Sequence, residues 1–500
     1  MNKEETLQSF RAYQRKIASQ RYIDFLIGWD AATEAPRKSV QYRAQIQGEL
    51  AAEQFAYQMN PANIALLEEI TQGDFAEADQ ISAKKYLKNI NKIRYIPAEE
   101  YVQAARNRSI IARVWEEAKR TNDYGCFAPH LERFLNDVKS SLSYRGIKEE
   151  EYFATLIDDN EEGMTLEKYD HFFGALKDEL VPFTQHCLTE GRKIEDTALY
   201  IPVSRASQEA IVQYMVETFH FDLQAGVVKT SAHPFTTGSG SPTDVRFTVR
   251  YNENYFPGAM MAAMHEMGHA LHSQQGNPAY AGTNLNGGPS AGIGESQSRF
   301  YENYIGRSQA FWQTHFAALQ KFIPELYDYS ANDFWRMLNR SKAVLTRIEA
   351  DELTYPLHII LRYEIERAIF AGEAKVKDLP EIWNAKSAEY LGVVPQTDTE
   401  GVLQDVHWGG NVGFGYFPTY ALGTAYAAQF DAALRKDLDV DHLIRENKID
   451  TINTWLKDKI HFSCGMKTPE QILMDVTGEP FNVQYYLEYL KNKYNQIYFS

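Results

Sequence analysis

The chain has 500 residues, enough for one large domain or two to three ordinary ones, and its hydrophobic content of 44% is ample for a packed core. A formal net charge of −16 argues against nucleic acid as a partner, because phosphate binding needs basic patches. The three widely spaced cysteines predict no disulfide framework, and neither a signal segment nor an apolar run long enough to span a membrane occurs, so we expect a cytoplasmic protein with no membrane partner.

The first half of the chain is predicted to be helical. Residues 3–27 carry apolar side chains at spacings of three and four, which is typical of an amphipathic helix, and the segment from Trp29 to Pro36 is expected to break this helix. Further helices are predicted over residues 39–58, 61–73, 75–95, 97–120, 128–144, 165–190 and 207–219. Alternation with a period of two is almost absent from this half.

The pattern changes at residue 226. Residues 226–231 and 244–251 alternate between apolar and polar side chains and are rich in β-branched residues, as strands are. The turn-rich segment 233–242 lies between them, so a small antiparallel sheet is expected. Its edge could pair with an extended peptide.

A helix predicted over residues 257–275 contains the sequence His265-Glu266-x-x-His269. Residues four apart on a helix share a face, so both histidines can bind one metal ion, and Glu266 can take a proton from water on the open side of that metal. The helix is apolar nearly all round and is expected to be buried, where a metal would satisfy these polar groups. Gly268, within the helix, indicates close packing of a neighbour.

Glu295 is the best candidate for a third metal ligand. It follows a Gly-rich loop over residues 277–294 and is expected at the start of the next helix. On spacing alone, a carboxylate favoured at a helix N-terminus explains this residue equally well. His272 lies on the same face as His265 but one turn farther along, so we interpret it as structural.

Helices are also predicted in the second half of the chain, over residues 309–322, 332–344, 345–372, 419–435, 440–447, 449–459, 469–476 and 483–498. Loops are expected over residues 392–408 and in a Gly-rich turn at 409–418. No internal repeat, low-complexity linker or clear domain boundary separates these elements.

Six short motifs occur in one order along the chain. They are His233-Pro234-Phe235, Asp244-x-Arg246-x-Thr248, His265-Glu266-x-x-His269, Glu295-Ser296-Gln297, Arg347-x-x-Ala350-Asp351 and Gly401-x-x-Gln404-Asp405-x-His407-Trp408. Together they resemble the carboxypeptidase Taq family of metallocarboxypeptidases over essentially the whole chain. Each motif is weak alone, whereas six in order are very specific. Two departures from the family pattern, at Gly294 and Thr346, touch no proposed chemistry.

The resemblance implies a mainly α-helical, saddle-like zincin fold with a deep groove, similar to neurolysin and angiotensin-converting enzyme, with a small antiparallel sheet beside the active site. It implies a single peptidase domain over residues 1–500, with helical subdomains flanking the groove, and a homodimer. It also implies one metal ion per subunit, namely zinc, or alternatively cobalt or manganese. The implied activity is release of single amino acids from peptides with a free C-terminus.

The resemblance further assigns roles to residues of the metal side. His265, His269 and Glu295 hold the metal, and Glu266 is the general base for metal-bound water and then passes the proton to the leaving amine. His407 and Tyr420 are the candidates for the donor that stabilises the oxyanion. For Tyr420, a role in the core is an equally good explanation.

A carboxypeptidase must also recognise the terminal carboxylate, for which a planar, bidentate arginine is suited. Arg347 is the first choice, on a predicted helix, and Arg246 is the second, although either could form a structural salt bridge. His233 and Asp244 are expected to shape the strand region that binds the peptide. Gln404 is also predicted to bind substrate, and Asp405 either orients His407 or caps a turn.

Two other functions remain open from the residues alone. One is an oligopeptidase that cuts internally with the same metal site, which would cleave an amidated peptide as fast as the free acid. The other is a non-catalytic helical scaffold, in which His265-Glu266-x-x-His269 is structural. The scaffold predicts that no metal binds and that Glu266→Gln has no effect on any turnover.

Overall fold

The computed structural model describes residues 2–409 and 412–500, and in these ranges the protein has twenty α-helices and three β-strands. Gly410 and Asn411, which belong to the predicted Gly-rich turn, lie outside the described residues.

The bounds of the elements follow the chain. The helices before the sheet are α1 (Lys3–Thr33), α2 (Val40–Gln58), α3 (Pro61–Gln72), α4 (Glu77–Asn91), α5 (Ala98–Thr121), α6 (Tyr124–Tyr144), α7 (Tyr152–Asn160), α8 (Leu166–Glu190) and α9 (Arg205–Thr218). The strands are β1 (Gly226–Thr230), β2 (Thr236–Gly238) and β3 (Val245–Val249). The later helices are α10 (Phe256–Gln274), α11 (Ala291–Arg299), α12 (Gln309–Phe322), α13 (Ala331–Leu338), α14 (Tyr355–Phe370), α15 (Leu379–Leu391), α16 (Pro418–Asp437), α17 (Val440–Arg445), α18 (Ile449–Lys459), α19 (Pro469–Thr477) and α20 (Gln484–Tyr498).

The mainly α-helical fold class is confirmed, and most predicted helices occur where they were expected. One difference concerns the end of α1, which continues to Thr33. Pro36, the last residue of the predicted break, sets this end, because the residue before a proline is disfavoured in the helical conformation. Trp29 is therefore helical, and its buried ring lies 6.0 Å from that of Phe235 in an edge-on contact. The helices α7 and α15 were not predicted.

A second difference concerns the segment between α13 and α14. The prediction of helix over residues 332–344 and 345–372 was wrong from Asn339 to Thr354, because Asp351 provides other partners for the backbone. Its carboxylate accepts hydrogen bonds from the backbone N–H of Lys342 and of Leu353, each at 2.9 Å. Arg347 consequently lies in a short 3₁₀ turn and not on an α-helix.

The small sheet is mixed, so the prediction of an antiparallel sheet was wrong. Its strand order is β1-β3-β2, with β1 parallel to β3 and β2 antiparallel to β3. The reason is β2, which lies in the segment predicted as a loop and reverses the chain direction once more before β3. Among the described residues, β2 leaves one edge unpaired.

The core consists of one large hydrophobic cluster and a smaller one. The buried residues of the smaller cluster come from α1, α3 and α4 and include Phe10, Leu67 and Tyr86. The predicted burial of α10 is confirmed, since Met264 and Met267 are inaccessible to solvent within the large cluster. Among the described residues, no helix is long and apolar enough to cross a membrane.

Three helices meet at very short distances around α11. A Cβ atom added to Gly268 of α10 would lie 2.5 Å from the carbonyl oxygen of Gln297, which confirms the close packing predicted at this glycine. A Cβ added to Gly423 of α16 would lie 2.7 Å from the Cβ of Glu295. Because α11 lies against the backbones of both α10 and α16, its position is tightly fixed.

The helix α11 begins four residues earlier than Glu295. Ser290 caps it by accepting a hydrogen bond from the N–H of Ile293 at 3.1 Å. The buried carboxyl group of Glu161 accepts from the N–H of Gly292 and from the hydroxyl of Ser290, each at 2.8 Å. Glu295 therefore lies within the helix and not at its first residue.

Candidate metal centre

The first-choice ligand residues converge on one point. His265 and His269 project from α10, and Glu295 projects from α11. The Oε2 atom of Glu295 lies 3.8 Å from Nε2 of His265 and 3.5 Å from Nε2 of His269. One ligand atom from each residue lies within 4.8 Å of the other two. Two imidazole nitrogens and one carboxylate oxygen form a donor set that suits a divalent transition metal.

A second carboxylate, which the sequence did not suggest, orients one of the histidines. The Nδ1 atom of His265 lies 3.0 Å from Oε2 of Glu302, which follows α11 in a turn of π-helix. An ionised carboxylate only accepts hydrogen bonds, so Nδ1 carries a proton, which leaves Nε2, on the side of Glu295, as the nitrogen that would bind a metal. The nitrogen of His265 that is free to bind a metal is thus Nε2, which is the one that points to the other two ligand residues.

Arg299 connects the two carboxylates. Its Nε atom donates to Oε1 of Glu295 at 2.8 Å, and its Nη1 atom donates to Oε2 of Glu302 at 3.1 Å. Burial disfavours ionisation of Glu295, but the positive charge of Arg299 outweighs this effect and holds the pKa of Glu295 well below its ordinary value. Both carboxylates are therefore ionised and held in fixed positions near neutral pH.

The carboxylate of Glu266 is held from the sheet side. The hydroxyl of Thr236, on β2, lies 2.7 Å from Oε2 of Glu266 and 2.9 Å from its backbone oxygen. Glu266 is buried, and it follows His265 directly on α10. Thr236 was predicted only as part of a loop, and no spacing rule pointed to its contact with the motif helix.

Arg347 belongs to a buried charge cluster with Asp405. Its Nε and Nη2 atoms donate to Oδ1 of Asp405 at 3.1 and 2.7 Å, and its Nη1 atom donates to the hydroxyl of Tyr355 at 3.0 Å. The other oxygen of Asp405, Oδ2, accepts from Nε of Arg362 at 2.7 Å. Asp405 thus lies between two arginines, and the sequence analysis had named only one of them.

The two candidates for the oxyanion donor contact each other. The Nε2 atom of His407 lies 3.1 Å from the hydroxyl of Tyr420. Burial lowers the pKa of His407 to about 4, so this imidazole is neutral near pH 7. Asp405 lies 3.9 Å from Nδ1 of His407, too far for a hydrogen bond, so it pairs with arginines and does not orient this ring.

Tyr355 joins the two sides of the site. The guanidinium of Arg299 lies 4.7 Å from the centre of its ring, while its hydroxyl accepts the hydrogen bond from Arg347. Tyr420, one turn before Gly423 on α16, has its ring centre 5.0 Å from the guanidinium of Arg347. The metal ligands and the arginine cluster are therefore neighbours.

Arg246 forms an ion pair elsewhere. Its Nε and Nη2 atoms donate to the two oxygens of Asp244 at 2.7 and 2.9 Å, and its guanidinium lies over the rings of Phe25 and Trp29. Side chains alternate between the faces of a strand, and Arg246 is paired with the neighbour of Thr236 on β2. Arg246 and Asp244 consequently face α1, on the side of the sheet away from Glu266.

The remaining predicted residues take different positions. His233 is exposed, and its backbone oxygen accepts a hydrogen bond from the hydroxyl of Ser231 at 2.6 Å. Gln404 is engaged with the protein, since its Oε1 atom accepts from the N–H of Arg347 at 2.9 Å and from Nη2 of Arg362 at 2.7 Å. For both residues, substrate binding stays a prediction.

His272 lies apart from the converging ligands. Its ring packs against that of His461, with 4.8 Å between their centres, and burial lowers its pKa to about 4. This arrangement agrees with the structural role that its spacing suggested.

Comparisons with known proteins give a consistent result. The family model described as carboxypeptidase Taq (M32) metallopeptidase matches residues 9–494. Carboxypeptidase 1 of Bacillus subtilis is 39% identical over 481 residues, covering 95% of each chain. Thermostable carboxypeptidase 1 of Pyrococcus furiosus is 33% identical over 495 residues, covering 98% of each chain. The solved structure of an M32 carboxypeptidase from Deinococcus radiodurans has a TM-score of 0.94 at 31% identity, covering 99% of each chain.

Proposed function

The chain belongs to the carboxypeptidase Taq (M32) family and is a metal-dependent carboxypeptidase, and from this premise we propose which of its residues carry out the reaction. His265, His269 and Glu295 hold the metal, which is zinc, with cobalt or manganese as alternatives. The observation that supports this assignment is the convergence of their three ligand atoms. When bound, such a metal polarises the scissile carbonyl and makes water a better nucleophile.

Glu266 is the general base in this proposal. Its carboxylate removes a proton from the attacking water and then delivers this proton to the departing amine of the peptide. Thr236 keeps the carboxylate in one orientation through the contact at 2.7 Å.

Tyr420 and His407 are the proposed source of the oxyanion donor. Tyr420 is placed one turn from Gly423, whose backbone packs against Glu295, so its hydroxyl is on the metal side of α16. His407 shares a hydrogen bond with that hydroxyl and limits its rotation. A donor held in advance stabilises the developing charge without reorganisation during the reaction.

Arg347 is proposed to bind the terminal carboxylate. Three of its five N–H groups are used by Asp405 and Tyr355, which leaves one N–H on each terminal nitrogen. These two N–H groups can bind a carboxylate in bidentate fashion. The side chain is 10% exposed, which is enough for contact from the groove side. Arg246 is the weaker candidate, because Asp244 takes both ends of its guanidinium fork.

The free edge of β2 is proposed to bind the substrate backbone. Thr236 places this strand directly beside Glu266, so a peptide paired along the edge would pass the general base. Three further residues would then shape the peptide site without forming the strand edge itself. His233 and Asp244 flank β2 along the chain, and Gln404 holds the backbone of Arg347.

We also propose a single peptidase domain over residues 1–500, a homodimer and a cytoplasmic location. The family match over residues 9–494 supports the single domain. The homodimer depends on the family resemblance, and light scattering of the purified protein would test it. The cytoplasmic location is supported by Cys126, Cys187 and Cys464, which are all free thiols.

Glu266→Gln provides the test of the catalytic assignment. We expect kcat on a free-acid peptide to fall by at least about 1,000-fold, because a general base is removed, while bound metal stays at one ion per subunit. Glu373→Gln, at an exposed position, serves as the control and should keep full activity. Residual activity within tenfold of the parent protein, with metal bound, would show that another group is the base.

A further inference from the structure

The charge cluster around Asp405 has two cations and one anion. Oδ1 of Asp405 pairs with Arg347, and Oδ2 pairs with Arg362, whose Nε and Nη2 atoms lie at 2.7 and 2.5 Å. The side chain of Arg362 is fully buried, between the rings of Trp383 and Phe417. Its guanidinium is inaccessible to solvent, and Nη1 donates to the backbone oxygen of His358 at 2.6 Å.

Asp405 and the two arginines that contact it together carry a net charge of one positive unit. Burial lowers the pKa of Arg362 from its ordinary value, but an arginine starts so high that it stays charged near neutral pH. Burial disfavours the ionised form of Asp405, but the positive charge of Arg362 outweighs this effect and holds the pKa of this carboxylate well below its ordinary value. The two adjacent histidines are neutral, because burial holds the pKa of His358 well below the ordinary value and that of His407 at about 4.

An excess positive charge in a buried site is costly unless a partner compensates it. Arg347 and Asp405 alone would form a neutral pair with little attraction for a second carboxylate. Arg362 changes this balance, because it brings a second positive charge to Asp405 at Oδ2, the oxygen that Arg347 does not contact. Four of the five N–H groups of Arg362 bond to protein atoms, whereas Arg347 keeps one unused N–H on each of its terminal nitrogens.

We infer that Arg362 is a specificity-determining residue that acts through Asp405: it offsets the negative charge of Asp405, so that Arg347 retains a net positive charge for the terminal carboxylate of the peptide. This inference depends on the proposed function, in which Arg347 binds that carboxylate. Arg362 itself touches no substrate and is a positioning residue.

The test uses two peptides that differ only at the C-terminus, a free acid and its amide, and measures KM and kcat for both. For Arg362→Gln we expect KM for the free acid to rise roughly 10- to 100-fold, with kcat and the hydrolysis of the amide nearly unchanged. Arg362→Gln leaves Asp405 paired with Arg347, so no unpaired buried carboxylate remains to unfold the protein. Arg367→Gln is the matched control, since Arg367 lies on the same helix and pairs with Asp170 at the surface.

The double variant Arg362→Gln/Asp405→Asn separates charge from structural support. It restores the net positive unit by removing the anion, so we expect KM for the free acid to recover by at least about tenfold relative to Arg362→Gln. A purely structural role predicts that the double variant is no better than the single one. Equal losses for the free acid and the amide, or no recovery in the double variant, would overturn the inference.

Arg347→Gln distinguishes this inference from the proposed function. If Arg347→Gln keeps the preference for the free acid, the assignment of Arg347 fails. If it abolishes the preference whereas Arg362→Gln keeps it, only the role of Arg362 fails. Arg362→Lys retains the charge and should keep most of the preference, so it provides the comparison if Arg362→Gln accumulates poorly. Loss of the preference in a folded Arg362→Lys variant equal to that of Arg347→Gln would contradict the charge argument.

Discussion

At the scale of single residues, the proposed metal centre is held by groups that contact its candidate ligands from behind. Glu302 fixes the tautomer of His265, and Arg299 fixes the carboxylates of Glu295 and Glu302 relative to each other. Such outer contacts pre-organise a donor set, so that little conformational freedom is lost when a metal binds. The ligands alone do not determine the affinity of the site.

The first prediction therefore concerns Glu302. Glu302→Gln keeps an oxygen that can accept from His265 but removes the charge that Arg299 also binds, so we expect metal affinity to fall about 10- to 100-fold. Competition with a chromogenic chelator would measure it, with the exposed Glu373→Gln as the control. An affinity within twofold of the parent protein would show that Glu302 does not support the site.

Residues of this kind are difficult to predict from sequence, although spacing pointed to His265 and His269, and the family resemblance pointed to Glu295. Glu302 follows Glu295 by seven residues, two helical turns, but this relation is visible only when the helix is known to begin before Glu295. Arg362 and Asp405 are 43 positions apart and meet only through the packing of α14 against the loop that carries Asp405. Family motifs pointed to Arg347 and Asp405 but gave no indication of the second arginine.

At the scale of elements, the site depends on how closely α10, α11 and α16 approach. Local sequence signals predicted α10 and α16 well. Both helices have a proline in the first turn, Pro257 and Pro418, which is a strong signal of a helix start. Local sequence signals did not predict β2, which has only three residues and depends on pairing with β3. They also failed between α13 and α14, where the bonds of Asp351 replace those of a helix.

Gly268→Ala tests the close approach of α10 and α11. Alanine has the higher helix propensity, but its Cβ would lie 2.5 Å from a backbone oxygen that cannot move alone, so α11 must shift. We expect a loss of about 1–3 kcal/mol in the free energy of unfolding and a lower metal affinity, because Glu295 moves with α11. Denaturant unfolding and chelator competition would measure these changes.

Gly174→Ala is the matched control for that experiment. Gly174 lies within α8, and a Cβ atom there would have no neighbour within 4 Å. This variant should gain about 0.5–1 kcal/mol and leave metal affinity unchanged. If both variants gain stability, the close contact seen at Gly268 does not constrain α11.

At the scale of the whole molecule, the proposed metal site would join two consecutive helices that are fixed by a helix much later in the chain. His265 and His269 come from α10 and Glu295 comes from α11, which is in turn packed on α16. The unfolded chain cannot bring these ligands together, so a bound metal stabilises the folded state alone. Its contribution is about 4 kcal/mol when the free metal concentration is 1,000 times the dissociation constant.

Removal of the metal should therefore lower the melting temperature by several degrees. Calorimetry of the metal-free protein, titrated with Zn²⁺, Co²⁺ or Mn²⁺, would measure this shift and rank the three metals by the midpoint of each titration. Glu295→Gln keeps the size of the side chain but weakens the donor set, so its melting temperature should respond much less to added metal. The control variant Gly174→Ala should show the full response of the parent protein. An equal response in Glu295→Gln would mean that the stabilising metal binds elsewhere and that the ligand assignment is wrong.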